Sequence, residues 1–134
     1  MLTDEGRQNL IQAAIDIRKN AYAPYSRFLV GAALLASSGK IFTGTNVEIA
    51  AYPSGICAER VAVFNAVSQG ERQFEAIAVV TSNGISPCGA CRQVLSEFGL
   101  DIVVLMADSQ GHLMEEISVK RLLPGAFRPS DLPD

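Results

Sequence analysis

Three cysteines lie in two short segments of the chain, residues 55–60 and 86–93. Cys57 stands alone, whereas Cys88 and Cys91 form a Cys-x-x-Cys pair. A catalytic zinc ion takes three protein ligands and leaves its fourth tetrahedral position to water, whereas a structural zinc ion is closed by four ligands. Because the chain has three thiols and no fourth, the sequence predicts a Zn²⁺ centre held by Cys57, Cys88 and Cys91, with one open position.

Both cysteine segments are predicted to begin helices. A Cys-x-x-Cys pair at a helix start lets both sulfurs reach one metal ion, and the unpaired N–H groups there favour thiolates. Three thiolates on Zn²⁺ leave the centre with a net negative charge, which weakens the ion as a Lewis acid. We expect two helix N-termini and Arg60 to offset that charge, with Arg60 donating a hydrogen bond to a ligand sulfur.

Glu59 follows Cys57 by two residues. This spacing lets the thiol hold the metal while the carboxylate reaches the metal-bound water, so Glu59 is predicted to be a general acid and base. A glutamate in the first turn of a helix is otherwise simply favourable to the helix dipole. The neighbouring thiols favour the catalytic interpretation.

Size and composition predict one domain, residues 1–134, that associates with further copies. A chain of 134 residues falls in the usual range for a single domain. With 49% hydrophobic residues, 19% charged residues and a mean hydropathy of +0.22, the surface is apolar for a monomer. A homo-oligomer is therefore expected.

The charge balance disfavours several classes of partner. A net charge of −3 and a pI of about 5.1 give no basic surface for nucleic acid. The chain lacks an apolar run of the roughly 20 residues that span a membrane, and its N-terminus lacks the pattern of a signal peptide. Three cysteines, all assigned to a metal, argue against disulfides and for a reducing compartment, so we expect the cytoplasm.

The remaining sequence predicts the elements that must position these groups. Thr3 is expected to cap a first helix that ends near Arg18. Short links predict two antiparallel hairpins. The predicted elements are a hairpin of residues 28–35 and 40–46, a helix over 58–68, a strand over 74–80, a helix from 88 to about 98, and a hairpin of 102–106 and 113–117 followed by a turn capped by Ser118. The order predicts an α/β class fold, a mixed five-stranded sheet with helices on both faces in three α/β/α layers, with the active site at helix N-termini beyond strand ends.

The chain resembles the small three-cysteine cytidine deaminases of nucleoside salvage almost from end to end. A Pro-Cys-x-x-Cys motif with an upstream ligand-x-Glu motif is typical of zinc deaminases. The matching segments are Pro24-Tyr25-Ser26-x-Phe28-x-Val30-Gly31-Ala32-Ala33, Asn46-Val47-Glu48, Ala51-Tyr52-Pro53, Ile56-Cys57-Ala58-Glu59-Arg60, Ser86-Pro87-Cys88-Gly89-Ala90-Cys91-Arg92-Gln93-Val94 and Leu122-Leu123-Pro124-Gly125-Ala126-Phe127.

The resemblance implies hydrolytic deamination of cytidine and 2′-deoxycytidine by a homotetramer whose subunits share their active sites. It also implies the residues that bind the substrate. Asn46 and Glu48 are expected to hold the sugar 3′-hydroxyl, Phe28 to pack on the nucleoside, the Ala58 N–H to contact the base O2, the Ser86 carbonyl to accept from the 4-amino group, and Tyr52 and Phe127 to come from an adjacent subunit.

One position departs from the family pattern, because Ile49 stands where an asparagine is common. The departure bears on the geometry of the substrate loop and on sugar affinity, not on the zinc chemistry. Without the family pattern, Phe28, Tyr52 and Phe127 would be interpreted as core, loop or tail-anchoring aromatics.

Rival functions remain open at this point. A structural zinc module would add His112 as fourth ligand, although a turn residue exposed to solvent is the simpler interpretation of that histidine. A redox protein would use the Cys88-x-x-Cys91 pair but leave Cys57 and Glu59 unexplained. Within the enzyme class, the competitors are a deaminase of another aminopyrimidine nucleoside, such as a nucleoside antibiotic, and an editor of polynucleotides, which the charge disfavours.

Overall fold

The computed structural model describes residues 2–133. Its helices are α1 (Asp4–Arg18), α2 (Ala58–Ser68), α3 (Gly89–Phe98) and the short α4 (Val119–Leu122), and its strands are β1 (Gly31–Ala36), β2 (Ile41–Thr45), β3 (Phe74–Thr81), β4 (Val103–Asp108) and β5 (Leu113–Ser118). Single 3₁₀ turns occur at Tyr52–Ser54 and Pro129–Asp131.

The strands form one five-stranded sheet in the order β2-β1-β3-β4-β5. The two predicted hairpins, β1–β2 and β4–β5, are antiparallel, and β1 also pairs antiparallel with β3. The pair β3–β4 is parallel, so the chain crosses over through α3 between them. The predicted mixed five-stranded sheet is confirmed.

Strand alternation divides the core into two layers. One layer lies between α1 and the sheet, and we call this side of the sheet the α1 face; the other lies under α2 and α3, and we call it the site face. The buried residues of the α1 face are Leu10, Ile11, Ala14, Ala33, Ala76, Ala78, Val80, Leu105 and Ala107. The site face buries larger strand residues, including Leu34, Ile77, Val79, Val104 and Met106, against Ala58, Ala62, Val63 and Leu95. Helices on both faces are thus confirmed.

Local signals fix the helix starts as predicted. The Thr3 Oγ1 accepts a hydrogen bond from the Gly6 N–H at 3.0 Å, which satisfies one of the free donors at the start of α1. Ser118 caps α4 in the same way, accepting from the Arg121 N–H at 3.3 Å. No helix within residues 2–133 is long and apolar enough to cross a membrane.

Gly44 brings β2 against the backbone of α2. A Cβ at this position would lie 2.5 Å from the Ala62 nitrogen and 2.7 Å from the Ala58 carbonyl oxygen. Only glycine allows such a close approach of two backbones. Because Ala58 is the first residue of α2, this contact sets the position of the helix that follows Cys57.

The first strand begins later than the sequence predicts, at Gly31 and not at residue 28. The Asn46 side chain explains the difference, because its Oδ1 accepts from the Val30 N–H at 2.9 Å and its Nδ2 donates to the Phe28 carbonyl at 2.8 Å. These bonds occupy the Phe28 carbonyl and the Val30 N–H, whereas the Val30 carbonyl still accepts from the Asn46 N–H at 3.4 Å. On α2, the Phe64 side chain is 47% exposed in the single chain.

Candidate active site

A cavity of about 450 Å³ opens on the site face, where β3 ends and α2 begins. This volume falls within the range of small-molecule sites. The predicted residues that line it are Phe28, Asn46, Glu48, Tyr52, Cys57, Ala58, Glu59, Arg60, Ser86 and Cys88. The fold therefore brings most of the sequence-predicted site residues to one place.

The three sulfurs lie close enough to share one metal ion, with Cys57 and Cys88 lining the cavity and Cys91 fully buried. Cys57 Sγ is 4.0 Å from Cys88 Sγ, and Cys88 Sγ is 3.4 Å from Cys91 Sγ. All three atoms lie within 4.8 Å of one another. Tetrahedral zinc–sulfur bonds of about 2.3 Å place ligand sulfurs about 3.8 Å apart. The observed spacing therefore fits Zn²⁺ without a rearrangement of the backbone.

Helix starts present these thiols, as predicted. Cys57 is the N-cap of α2 and Cys88 the N-cap of α3, and neither side chain accepts a capping hydrogen bond from its helix. Both sulfurs are therefore free to bind a metal beside unpaired backbone N–H groups. His112 is not part of the cluster of metal-ligating groups. Its Nδ1 lies 3.0 Å from Asp108 Oδ2 at an exposed turn, as expected for a solvent-facing residue.

The guanidinium of Arg60 places a positive charge beside the sulfurs. Its Nη2 donates to Cys57 Sγ at 3.3 Å, and its Nε is buried without a partner among residues 2–133. A hydrogen bond from the Cys91 thiol, together with the Arg60 guanidinium, lowers the pKa of Cys57 to about 5. The same thiol–thiol bond and burial raise the pKa of Cys91. Within this cluster Cys57 is therefore the more acidic thiol and Cys91 the less acidic one.

Glu59 lies in the first turn of α2 and is 5% exposed. Burial raises the pKa of its carboxyl, and the negative charge on Cys57 raises it further. A raised pKa makes the carboxylate a stronger base, which suits general acid and base chemistry.

Glu48 and Asn46 line the cavity and also fasten the segment that precedes β1. Glu48 Oε1 accepts from the N–H groups of Tyr25 and Ser26, each at 3.0 Å, and its Oε2 accepts from the Ser26 hydroxyl. The bonds from Ser26 lower the pKa of Glu48. Ser26 Oγ in turn accepts from the Phe28 N–H at 3.0 Å. Both residues therefore shape the wall that contains Phe28.

The two remaining aromatic residues lie differently. Tyr52 stands at the rim of its own chain's cavity, 73% exposed, with its ring edge-to-face on Tyr25 at 5.9 Å between centroids. Phe127 is 55% exposed and does not line the cavity.

Seven lining residues were not predicted as site residues, namely Ser26, Val30, Gly55, Ile56, Val79, Thr81 and Ile85. Val79 and Thr81 alternate on the site face of β3, so the strand period is the signal that indicates them. Thr81 Oγ1 accepts from the Gly84 N–H at 2.7 Å and the Ile85 N–H at 3.1 Å. Thr81 therefore shapes the turn that leads to Ser86 and Cys88.

Known proteins share both the sequence and the fold. Residues 4–107 match the family described as the cytidine and deoxycytidylate deaminase zinc-binding region. A cytidine deaminase of Halalkalibacterium halodurans is 50% identical over 131 residues, covering 96% of this chain and 98% of that protein. The crystal structure of a cytidine deaminase from Burkholderia pseudomallei superposes with a TM-score of 0.86 at 48% identity, covering 93% of this chain and 99% of that one. For a cytidine deaminase from Mycobacterium tuberculosis the TM-score is 0.80 at 38% identity, with coverage of 93% and 98%. The chain belongs to the family of zinc-dependent cytidine deaminases.

Proposed function

We propose that this chain hydrolyses free cytidine and 2′-deoxycytidine to the corresponding uridines and ammonia. The observation that carries the proposal is the buried carboxylate of Glu59 beside three sulfurs with the spacing of a zinc site, in a cavity of nucleoside size. The net charge of −3 favours a free nucleoside over a polynucleotide.

A zinc ion held by Cys57, Cys88 and Cys91 would supply a Lewis acid that lowers the pKa of the attacking water molecule. Glu59 accepts a proton from this water and delivers it to N3 of the cytosine ring, while a bond forms between the water oxygen and C4. Glu59, again a carboxylate, takes the proton of the new C4 hydroxyl group and donates it to the 4-amino group, so that the C4–N bond breaks as the C4 carbonyl forms. Water is consumed and ammonia leaves, so the reaction needs no redox partner. Arg60 keeps Cys57 a thiolate by its hydrogen bond and charge.

The other lining residues hold the nucleoside in this proposal. Asn46 and Glu48 bind the sugar 3′-hydroxyl, and Phe28 packs on the ring. The N–H of Ala58, at the first position of α2, is one of the donors that a helix start leaves unpaired, and it binds the base O2. The Ser86 carbonyl accepts from the 4-amino group.

We further propose that the active form is a homotetramer with sites shared between subunits. Four residues on or near the site face support this assembly, because they expose large apolar side chains in the single chain. They are Tyr52, Phe64, Ile85 and Phe127, exposed by 73%, 47%, 45% and 55%. Apolar patches of this kind mark interfaces. Tyr52 and Phe127 reach the cavity of an adjacent subunit in this arrangement.

Residues 1–134 are proposed to act as one catalytic domain in the cytoplasm. Both cysteine segments lie on one face of a single sheet, and three free thiols favour a reducing compartment.

A second candidate substrate is another aminopyrimidine nucleoside. Ile49 supports it, because this residue is 40% exposed and adjoins a depression of about 400 Å³ with Tyr25 and Tyr52 next to the main cavity. An apolar substituent on the sugar would find an apolar neighbour there.

One assay tests both candidates. Ammonia release is measured from cytidine, 2′-deoxycytidine, cytosine, cytidine monophosphate and an aminonucleoside antibiotic, with zinc content and mass in solution determined on the same preparation. We expect turnover of the two free nucleosides, one zinc ion per subunit and the mass of a tetramer. Release from none of the cytosine compounds would refute the proposed activity.

A further inference from the structure

The guanidinium of Arg92 joins three parts of the chain. Its Nε donates to the Pro87 carbonyl at 2.9 Å, its Nη2 to the Ser86 hydroxyl at 2.8 Å and its Nη1 to the Leu122 carbonyl at 2.7 Å. Each nitrogen of the planar fork therefore has an acceptor. A set of three acceptors around one fork is geometry that lysine does not reproduce.

Two of these acceptors belong to the loop that lines the cavity. Ser86 lines it directly, and Pro87 links Ser86 to Cys88 at the start of α3. Arg92 itself lies one residue beyond Cys91 and does not line the cavity. It therefore acts on a substrate through residues 86 and 87, by fixing the peptide group between them.

The third acceptor anchors this arrangement to the C-terminal part of the chain. Leu122 is buried at the end of α4. The next residue of α3, Gln93, donates from its Nε2 to the Phe127 carbonyl at 2.7 Å. The start of α3 thus holds the loop before it and the segment after α4 in one fixed relation.

We propose that Arg92 is a positioning residue that places the Ser86 carbonyl for recognition of the substrate's 4-amino group. The inference rests on the proposed function, because it takes the Ser86 carbonyl as the acceptor for that group. Arg92 distinguishes an aminopyrimidine from the same ring without its amine, and it does so without touching the substrate.

The test compares two ligands on the zinc-loaded protein. Cytidine carries the 4-amino group, whereas pyrimidin-2-one riboside has hydrogen at that position and makes no bond to the Ser86 carbonyl. The variants are Arg92→Lys, which keeps the charge but loses the fork, and Ser86→Ala, which removes only the hydroxyl contact. Arg121→Lys, a change on the exposed side of α4, is the matched control.

We expect Arg92→Lys to lower kcat/KM for cytidine by about five- to tenfold, the factor that one neutral hydrogen bond is worth. The inhibition constant of pyrimidin-2-one riboside should change by less than about twofold, since that ligand does not use the displaced carbonyl. Ser86→Ala should act in the same direction with a smaller factor, and Arg121→Lys should change neither value.

An equal loss for both ligands, or no loss for either, would overturn the proposal, because a general loosening of the loop does not single out the amine. If Arg92→Lys yields no folded, zinc-loaded protein, Ser86→Ala decides by the same comparison. If the unaltered chain releases no ammonia, the proposed function is wrong, and the proposed role of Arg92 is overturned with it. A failure of this inference alone appears only in the variants.

Discussion

The two faces of the sheet have different roles in the molecule. On the α1 face, small strand residues such as Ala33, Ala76 and Ala78 let a single helix pack closely. On the site face, two helices carry the chemistry as well as the packing. Three buried residues of the described chain are polar or charged, namely Glu59, Thr81 and Ser96, and all three lie on α2, on α3 or at a site-facing position of β3. One sheet thus separates stability from reactivity, and substitutions on its two faces should differ in kind.

The largest expected effect is on the site face, for Glu59→Gln. Loss of the proton carrier should lower kcat by about 10³-fold or more, in line with general acid and base catalysis. Zinc content should stay unchanged, and the melting temperature should not fall, because a buried amide costs less than a buried carboxylate. Steady-state kinetics with metal analysis and thermal unfolding check this. Substantial remaining turnover would remove Glu59 from its proposed role.

The second-largest effect is expected from the loss of a metal ligand. Cys88→Ala should abolish stoichiometric zinc and nearly all turnover, and it should also lower stability, because metal binding contributes to folding free energy. Zinc content and calorimetry measure both effects, and a chelator acting on the unaltered chain should reproduce them. Full zinc retention in the variant would contradict the three-thiol set.

The opposite face should respond in the opposite way. Leu10 is fully buried on the α1 face, and Leu10→Ala should lower the free energy of unfolding by about 2–5 kcal/mol. Its kcat and KM should match those of the unaltered chain at temperatures where the variant is folded. Urea unfolding and kinetics at low temperature provide the measurements. A change in KM would show that the two faces are coupled.

A substitution at Gly44 tests the contact between the sheet and α2. Gly44→Ala places a methyl group against the backbone of that helix, and such overpacking typically costs about 1–3 kcal/mol. Unlike Leu10→Ala, this variant should lower kcat as well as stability, since α2 carries Glu59. Unchanged kcat together with lowered stability would show that α2 moves without disturbing the site.

The smallest effect concerns an ion pair at the rim of the α1 face. Arg7 Nε and Nη2 bind Glu116 at 2.7 and 3.0 Å, and the hydrogen bond from Arg7 lowers the pKa of Glu116. The pair therefore contributes stability above the unfolded-state pKa and loses it as pH falls through the lowered folded-state pKa. Arg7→Met should slightly lower the melting temperature at neutral pH, and the difference should vanish in acid. Turnover should not change.

The sequence predicts most of this architecture, because its signals are local. The Thr3 cap, the two hairpin turns and the cysteines at two helix starts each depend on a few adjacent residues. The predicted start of β1 at residue 28 is wrong because the Asn46 side chain, distant in sequence, bonds the Phe28 carbonyl and the Val30 N–H. The role of Arg92 was missed for a similar reason, since its acceptor at Leu122 lies 30 residues away.

The alternation of side chains along β3 also limits how the gene can change length. Deleting or inserting one codon in this strand would turn Val79 and Thr81 toward α1 and bring alanines of the α1 face under the metal centre. The loop that follows carries Ser86 and Cys88, so a change in its length would also displace residues of the site. Length variation among descendants of this sequence should therefore collect at the β1–β2 and β4–β5 hairpins, which lie outside the site.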